Sequence, residues 1–400
     1  MIKSNAKNLI LAFQHMFTMF GATVLVPLLT GLDPTIALLG AGVGTVIFNK
    51  ITQNKVPVFL GSSFAFIGGI AMILQNEGLP YVKGGIIGAG FIYLLISKLI
   101  QKIGYEKVVK LMPPIVTGPI IMAIGVRLAP VAMEMSGFSN FNPISVLIAI
   151  ITLSIAVVIS LKAKGFLSML PVLFAIIGGY ITAIAFGIID FSWFAQSHWI
   201  GYSSTTLTQI FTMPMFSFNA LLAISPIALV TCIEHFGDIA ANGAVVEKNF
   251  FKDPGVHKTL MGDGIATIFG GLIGAPANTT YSENTGVLAI TKNYNPSIIK
   301  MAGLLTIILS FFGKFSGFLS SIPSPVIGGI SIMLFGMIAA VGLRTITKAK
   351  IDFSEFKNSF IFFMIFVLAT GISSFSIGGL SISGLTLAAI VGILLNKIIK

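Results

Sequence analysis

The chain has 400 residues and a formal net charge of +11, yet only 9% of its residues are charged and 55% belong to the apolar set AVILMFWYC. A soluble protein carries about 25% charged residues, so a water-facing surface is excluded and, with a mean hydropathy of +0.99, the chain belongs in a membrane. The single cysteine, Cys232, excludes an internal disulfide and a cysteine-cluster metal site; His15, His198, His235 and His257 have no metal-binding spacing, and no metal or cofactor is expected.

A spanning helix needs about 20 mostly apolar residues. In chain order such stretches lie near 8–29, 35–49, 63–76, 82–101, 108–129, 143–161 and 165–188, then near 219–246, 257–274, 276–291, 297–318, 324–343, 358–375 and 380–397. That is an all-α polytopic protein of 14 segments, seven in each half. The first apolar run has no small-residue cleavage site and continues the bundle, so it does not read as a signal peptide. The connection 188–218 is the longest polar stretch, and its Trp193 and Trp199 suit a membrane interface.

The basic residues test this count. With a cytoplasmic N-terminus, the inward side carries Lys3, Lys7, Lys50, Lys55, Lys98 to Lys110, Lys162, Lys164, Lys248, Lys252, Lys258, Lys292, Lys300, Arg344 to Lys357, Lys397 and Lys400. Only Lys83, Arg127 and Lys314 fall outside, which leaves 21 of 24 basic residues on one side, the asymmetry of cytoplasmic loops. Short loops account for every cluster, so the positive charge does not point to nucleic acid.

Two internal matches accompany the count. Pro114-Ile-Val-Thr-Gly118-Pro-Ile-Ile121-Met122-Ala-Ile-Gly125 aligns with Pro325-Val-Ile-Gly-Gly329-Ile-Ser-Ile332-Met333-Leu-Phe-Gly336, and Gly40-x-Gly42-x-x-Thr45-Val46 aligns with Gly262-x-Gly264-x-x-Thr267-Ile268. Chance is the competing explanation in a chain with 43 glycines. Both matches nevertheless join segments seven apart, and a repeat with an odd number of spans must be inverted in the membrane, as in many secondary transporters.

Segments 3 and 10 are interrupted. Val56-Pro57-Val-Phe-Leu-Gly61-Ser62-Ser63 reads as extended chain before a helix that starts at Ser62 or Ser63 and runs to Leu74. Ala275-Pro276-Ala-Asn278-Thr279-Thr280-Tyr281-Ser282 is too polar for lipid contact and precedes a short helix from Glu283 to about Thr291. Irregular backbone survives at membrane depth only where protein buries it or a cavity hydrates it. Inversion aims both helix starts, with their free N–H groups and positive dipole ends, at the bilayer middle.

The acids near this point are Glu234, Asp238 and Glu283. To cross the membrane and reach Lys248, segment 8 must continue as helix through Glu234-His235-Phe236-Gly237-Asp238, which puts both carboxylates on one helical face inside the membrane. An acid at that depth is functional by default; the alternative is a helix that stops at Thr231 and leaves them in water. Thr280-Tyr-Ser-Glu283 also matches a capping box, so Glu283 has a purely structural alternative. Asp263 reads equally well as a structural hydrogen-bond partner, His15 as a histidine satisfied by a neighbouring helix, and His235 as pointing away from the Glu234 face. Phe64, Tyr281 and Phe335 have the flat faces to stack on a planar ligand, although with 34 phenylalanines packing is the plainer role for any one of them.

The run Glu283-Asn284-Thr285-Gly286-Val-Leu-Ala-Ile-Thr291-Lys292 resembles the signature of the nucleobase–ascorbate transporter family, also called nucleobase/cation symporter-2. Gln14-His15 is similar to that family's first-helix pair, and Ser62-Ser63-Phe64-Ala65-Phe66 and Glu234-His-Phe-Gly-Asp238 are similar to its third- and eighth-helix motifs. The likeness covers nearly the whole chain and is strongest to bacterial members that carry uracil, in which a glutamate opens the signature; glutamine accompanies oxidised purines.

The resemblance implies short antiparallel strands in segments 3 and 10, a core of residues 1–105 and 218–320, a gate of 106–190 and 321–400, and an extracytoplasmic connection at 191–217. It further implies a homodimer in the lipid of the bacterial inner membrane, both termini cytoplasmic, with proton-coupled uptake of uracil and sodium as the alternative ion. By motif match, Glu234 and Glu283 would hold the base with the backbone N–H groups of Phe64 and Ser282, while Ala22, Tyr281 and Phe335 would line the pocket. Glu234, Asp238 and Glu283 would carry the proton. Asp238 stands where some such permeases have histidine, and Phe335 where a tyrosine can occur. Alternative cargoes are a xanthine-type purine or a small anion; an anion would call for a basic residue at the site, and segments 3, 8 and 10 offer none. A membrane enzyme would need a paired-aspartate, Gly-x-Ser or clustered-histidine motif, which the sequence lacks.

Overall fold

The structure is a computed structural model that describes residues 2–110, 113–372, 374–377 and 380–399. The first half runs α1 (Ile2–Thr30), α2 (Pro34–Ile51), strand β1 (Leu60–Ser62), α3 (Ile67–Asn76), α4 (Leu79–Ile103), α5 (Tyr105–Val109), α6 (Pro114–Met135), α7 (Pro143–Lys162) and α8 (Pro171–Ala185). Two small helices, α9 (Ser192–Gln196) and α10 (Ser204–Phe211), occupy the central connection. The second half begins α11 (Phe218–Ile224), α12 (Ile227–Val246), α13 (Val256–Ile273), strand β2 (Asn278–Thr280) and α14 (Ser282–Thr291). It closes with α15 (Pro296–Ser310), α16 (Gly313–Ser320), α17 (Ser324–Lys348), α18 (Phe356–Gly371), the hairpin β3 (Ser374–Ile377) and β4 (Leu380–Ser383), and α19 (Gly384–Ile398). Proline in the first turn fixes the starts of α2, α4, α6, α7, α8, α15 and α17, where its missing N–H costs nothing.

Among the described residues, seven helical stretches are long and apolar enough to cross a membrane, or eight if α15 and α16 form one span bent by 81°. The helix Phe64–Asn76 and α8, α18 and α19 are apolar but shorter. On α7, Ile144, Leu147, Ile150, Val158 and Leu161 are exposed, an apolar face that only lipid or another apolar surface can cover. The molecule is a largely helical membrane protein.

Three features depart from the sequence expectation. The stretch expected to run straight over 297–318 turns sharply at Phe312, whose backbone is extended. Ser225 and Pro226 interrupt the helix expected over 219–246. The helix expected from 380 starts at Gly384, after a hairpin in which Ser374 pairs with Ser383 and Ile377 with Leu380. Lys400, expected in the inward basic set, lies outside the described residues.

Glycine lets helices of the two halves touch through their backbones. A Cβ on Gly42 of α2 would lie 2.7 Å from the carbonyl oxygen of Gly303 on α15, and one on Gly303 would lie 3.0 Å from that of Gly42. Gly264 of α13 and Gly90 of α4 make the same reciprocal contact, at 3.1 and 2.8 Å. Gly42 and Gly264 are the aligned residues of the sequence match. The second matched pair of segments, α6 and α17, also pack backbone to backbone: a Cβ on Gly125 would meet the Phe335 carbonyl at 2.4 Å.

The 188–218 connection is folded onto the bundle by two of the three basic residues that broke the loop pattern. Lys83 on α4 is fully buried, and its ammonium donates to the carbonyls of Gln209 (2.9 Å), Ile210 (3.1 Å) and Thr212 (2.6 Å) at the end of α10. A cation at a helix C-terminus meets both unpaired carbonyls and the negative dipole end. Lys314 on α16 likewise donates to the carbonyls of Phe194 (2.7 Å) and Ala195 (3.3 Å) and lies 4.8 Å from the Phe194 ring centre. Thr206 of α10 donates to Asp33 at 2.5 Å, while the other oxygen of Asp33 caps α2 through the N–H groups of Thr35 and Ile36. Cys232, on α12, is fully buried.

Candidate functional site

The interrupted segments meet as a two-stranded antiparallel sheet. Leu60 pairs with Thr280, Gly61 with Thr279 and Ser62 with Asn278. The pairing continues on both sides, where Ser63 N–H donates to the Ala277 carbonyl (2.9 Å) and Tyr281 N–H to the Phe59 carbonyl (3.1 Å). Each strand leads at once into a helix: a tight turn over Phe64–Phe66 and then α3 on one side, α14 on the other. Because the strands run in opposite directions, the two helices leave the sheet at opposite ends. The first N–H groups of each have no partner within their own helix, so two donor sets flank one small sheet.

Tyr281 locks this junction. Its hydroxyl donates to the Ser62 carbonyl at 2.7 Å, and its ring passes so close to Gly61 that a Cβ there would lie 2.5 Å from ring carbons. Thr23 of α1 lies 3.4 Å from the same hydroxyl, and Ser62 donates to the Thr23 carbonyl at 3.3 Å. Tyr281 therefore ties both strands to α1; it is buried, as are Ala22 and Phe335, whereas Phe64 is partly exposed.

Helix α12 continues unbroken past Thr231 to Val246, so Glu234 and Asp238 belong to its body and the reading that leaves them beyond a helix end is excluded. Glu234, Ser282 and Glu283 are reached by solvent, and protein surrounds the carboxyls of Glu234 and Glu283. Glu234 is within electrostatic reach of Glu283 and Asp263, and Asp238 of all three. Asp238 is half-buried and accepts a hydrogen bond from the Thr280 hydroxyl of β2 at 2.9 Å. That bond also decides the capping question: Thr280 is engaged with Asp238, and the residue that caps α14 is Tyr281, without a side-chain cap. The capping box is not formed, and Glu283 stands free of it in the first turn of α14.

The remaining polar residues hold elements together. Asn284 donates to His15 Nδ1 (3.1 Å) and to the His15 carbonyl (3.0 Å), which binds α14 to α1. His235, fully buried, contacts Asp263 through Nδ1 and Thr259 through Nε2, both at 2.8 Å. The one hydroxyl hydrogen of Thr259 goes to the Val256 carbonyl (2.9 Å), so Nε2 is the donor to Thr259. Thr23 and Thr259 were not singled out in the sequence; Thr280 was, as the opening residue of a capping box and not as the partner of Asp238.

Beyond Glu234, the solvent-reached residues of α12 are Gly237, Ala240, Ala241 and Ala244, all small, and a Cβ on Gly237 or on Gly336 of α17 would meet nothing within 4 Å. The open face runs from the acids to the end of α12 at Glu247, beside Lys248 and Lys252.

Comparison with known proteins follows the same direction. The family model described as Permease family matches residues 6–377. A probable uracil permease of Haemophilus influenzae is 41% identical over 401 residues, covering 99% of this chain and 95% of that protein. The uracil permease of Bacillus subtilis is 39% identical, covering 97% and 91%, and that of Escherichia coli K12 is 37% identical, covering 98% and 90%. Among solved structures, the transmembrane domain of the cyanobacterial bicarbonate transporter BicA superposes with a TM-score of 0.71 at 18% identity, covering 96% of each chain. SLC26A9 gives 0.68 at 12% identity, covering 99% of this chain and 65% of that one. At such identities the likeness is one of fold.

Proposed function

The chain belongs to the nucleobase–ascorbate transporter family of permeases and is a transporter, not an enzyme, and from this premise we propose that it takes up uracil together with a proton by alternating access. What supports the reading is the nearness of the Glu234 and Glu283 carboxyls, one on α12 and the other in the first turn of α14, which packs against α12. Uracil is a flat ring with two N–H donors and two carbonyl acceptors. Carboxylates accept from the N–H groups, and helix-start N–H groups serve the carbonyls. Tyr281, Ala22 and Phe335 close the apolar sides.

The proton resides on the acid cluster. Two carboxylates that share a crevice repel when both are ionised, so Glu234, Asp238 and Glu283 together form the proton-carrying group, and the Thr280 bond to Asp238 connects that group to the strand that leads to Ser282. Sodium is the alternative coupling ion.

The same reading takes the chain as 14 membrane segments in two inverted sets of seven. Supporting it, Gly42–Gly303 and Gly264–Gly90 are equivalent contacts in the two halves. A core of 1–105 and 218–320 would move against a gate of 106–190 and 321–400; α2, α4, α13 and α15 pack among themselves, as do α6, α7, α8 and α17. The termini would lie in the cytoplasm of a bacterial cell, the 191–217 connection outside, and the protein would form a homodimer in the inner membrane. In that orientation the small-residue face of α12 opens the site inward.

A second reading is prompted by the fold neighbours, which include a bicarbonate transporter and an anion transporter. A crevice with three acids disfavours an anion. A xanthine-type purine fits the fold, although the glutamate at 283 favours uracil.

Uptake of uracil into proteoliposomes at two pH values tests the proposal. Glu234→Gln and Glu283→Gln should each lower uptake at least about tenfold, the size of a charge-assisted hydrogen bond reduced to a neutral one. Wild-type uptake in either variant removes that residue from the site. Uptake driven by a sodium gradient without a pH gradient would replace the proton as the coupling ion.

A further inference from the structure

We infer that Thr45 of α2 and Thr267 of α13 are positioning residues for the substrate site, each fixing one strand and through it the helix start that meets the ligand; the inference rests on the uracil reading above. A two-stranded sheet leaves each strand one unpaired edge. In the observed register the main chain of Phe59 and Ser63 faces β2, and that of Ala277 and Tyr281 faces β1. By alternation, the N–H and C=O groups of Leu60 and Asn278 face away from the partner strand. Both residues are buried, so those groups need partners inside the protein.

One hydroxyl supplies both partners in each half. Leu60 N–H donates to Thr45 Oγ1 at 3.0 Å, and Thr45 Oγ1 donates back to the Leu60 carbonyl at 3.4 Å. Asn278 N–H donates to Thr267 Oγ1 at 3.2 Å, and Thr267 Oγ1 donates to the Asn278 carbonyl at 3.2 Å. A hydroxyl has one hydrogen to give and lone pairs to receive, so each threonine acts as a third strand one residue long. Both threonines are fully buried. They are also the residues that the internal sequence match aligns, so the two halves use one device.

The consequence for the site follows from spacing. Phe64 and Ser282 each stand four residues beyond the anchored residue, too short an interval for the helix start to drift while the strand is held. Removing a hydroxyl orphans two buried main-chain groups and frees the strand to shift. The loss should appear in ligand affinity before it appears in turnover.

The test uses the full chain in proteoliposomes. Thr45→Val and Thr267→Val keep the side-chain shape and remove the hydroxyl; Thr45→Ser and Thr267→Ser keep the hydroxyl. Thr306→Val is the control, because Thr306 is equally buried but its hydroxyl serves only the Ala302 carbonyl of its own helix, at 2.9 Å. Each strand-facing valine variant should raise KM for uracil about tenfold, with kcat within about threefold of wild type. The serine variants should restore KM, and Thr306→Val should leave it unchanged. An unchanged KM in both strand-facing valine variants, or an equal rise in Thr306→Val, overturns the inference. Should a valine variant fail to reach the bilayer, hydrogen exchange in the wild type decides: amides of Leu60 and Asn278 protected for hours support the anchors, and exchange within seconds overturns them. Absence of uracil uptake by the wild type would instead overturn the transport reading, leaving the exchange result to judge the anchors alone.

Discussion

The two strand-to-helix crossovers share a frame and differ in chemistry. Leu60 and Asn278 are held by equivalent threonines, and counting on from them places Phe64 opposite Ser282 and Ala65 opposite Glu283. Ala65 is buried among apolar side chains, whereas Glu283 is reached by solvent. All the acids of the cluster, Glu234, Asp238, Asp263 and Glu283, come from the second half; the first half brings Ser62, which bonds to the Thr23 carbonyl, Thr23, whose hydroxyl meets Tyr281, and His15, which meets Asn284. A repeated frame can thus supply two matched donor sets while the groups that discriminate one end of a ligand from the other are placed once. A ligand with no internal symmetry requires such a division.

This comparison can be broken from either side. The largest effect should come from Gly61→Ala. The new Cβ would lie 2.5 Å from the Tyr281 ring and 2.6 Å from Thr23 Oγ1, so the sheet must open, and uracil uptake should fall below detection. Tolerance of alanine there would mean that the two crossovers are not locked together as described.

Ala65→Glu should be next. It would place an acid at the position matching Glu283 but in a closed apolar setting, and an unpaired buried carboxylate costs several kcal/mol. A lowered Tm with loss of uptake is expected, alongside near-normal behaviour of Ala65→Ser. Normal uptake by Ala65→Glu would show that the first crossover accepts charge as readily as the second.

The reciprocal glycine contacts sharpen the equivalence itself. Gly42→Ala and Gly264→Ala should each destabilise by about 2 kcal/mol, the usual cost of overpacking, and by similar amounts, which thermal unfolding in detergent can compare. A large effect at one and none at the other would show that the two contacts between the halves are not equivalent.

The smallest effects on uptake belong to the clamped connection. Lys83→Met leaves three carbonyls without their donor and should cost about 3 kcal/mol, against about 0.5 kcal/mol for Lys314→Met, which is less enclosed. Hydrogen exchange across 204–212 reads the first directly. Unaltered exchange there would mean that other contacts hold α10.

How much of this was visible in the residues alone depends on the range of the interaction involved. The interruptions at segments 3 and 10 were legible because Pro57, Gly61, Pro276 and the polar run 278–282 oppose both helix and lipid locally. The continuation of the helix through Glu234 and Asp238 was legible because the apolar run from Leu221 to Ile233 is too short to cross a membrane alone. The β3–β4 hairpin was legible in principle: Ser-Phe-Ser-Ile and Leu-Ser-Ile-Ser alternate with period two around Gly378-Gly379. It was submerged because averaged hydropathy cannot distinguish alternation from a uniformly apolar helix. The turn at Phe312 has no local cause in proline. It lies where Gly313 lets the connection approach, with a Cβ there falling 2.3 Å from the His198 carbonyl, and such a contact has no signature in a linear string. The match at Thr45 and Thr267 was seen as a repeat, but the role of the hydroxyls was not, since their partners are supplied only by the folded strands. Lys83 and Lys314 stood out by breaking the charge pattern; that they bind carbonyls, not carboxylates, needed the fold.

Cys232 remains to be considered for what it permits. It is the chain's only cysteine, and none of its surface meets solvent. A water-soluble thiol reagent therefore has no native target, and any cysteine introduced along the open side of α12, at Ala240 or Ala244 for instance, would carry the entire label. Paired spectroscopic probes can thus be placed without first removing a native thiol.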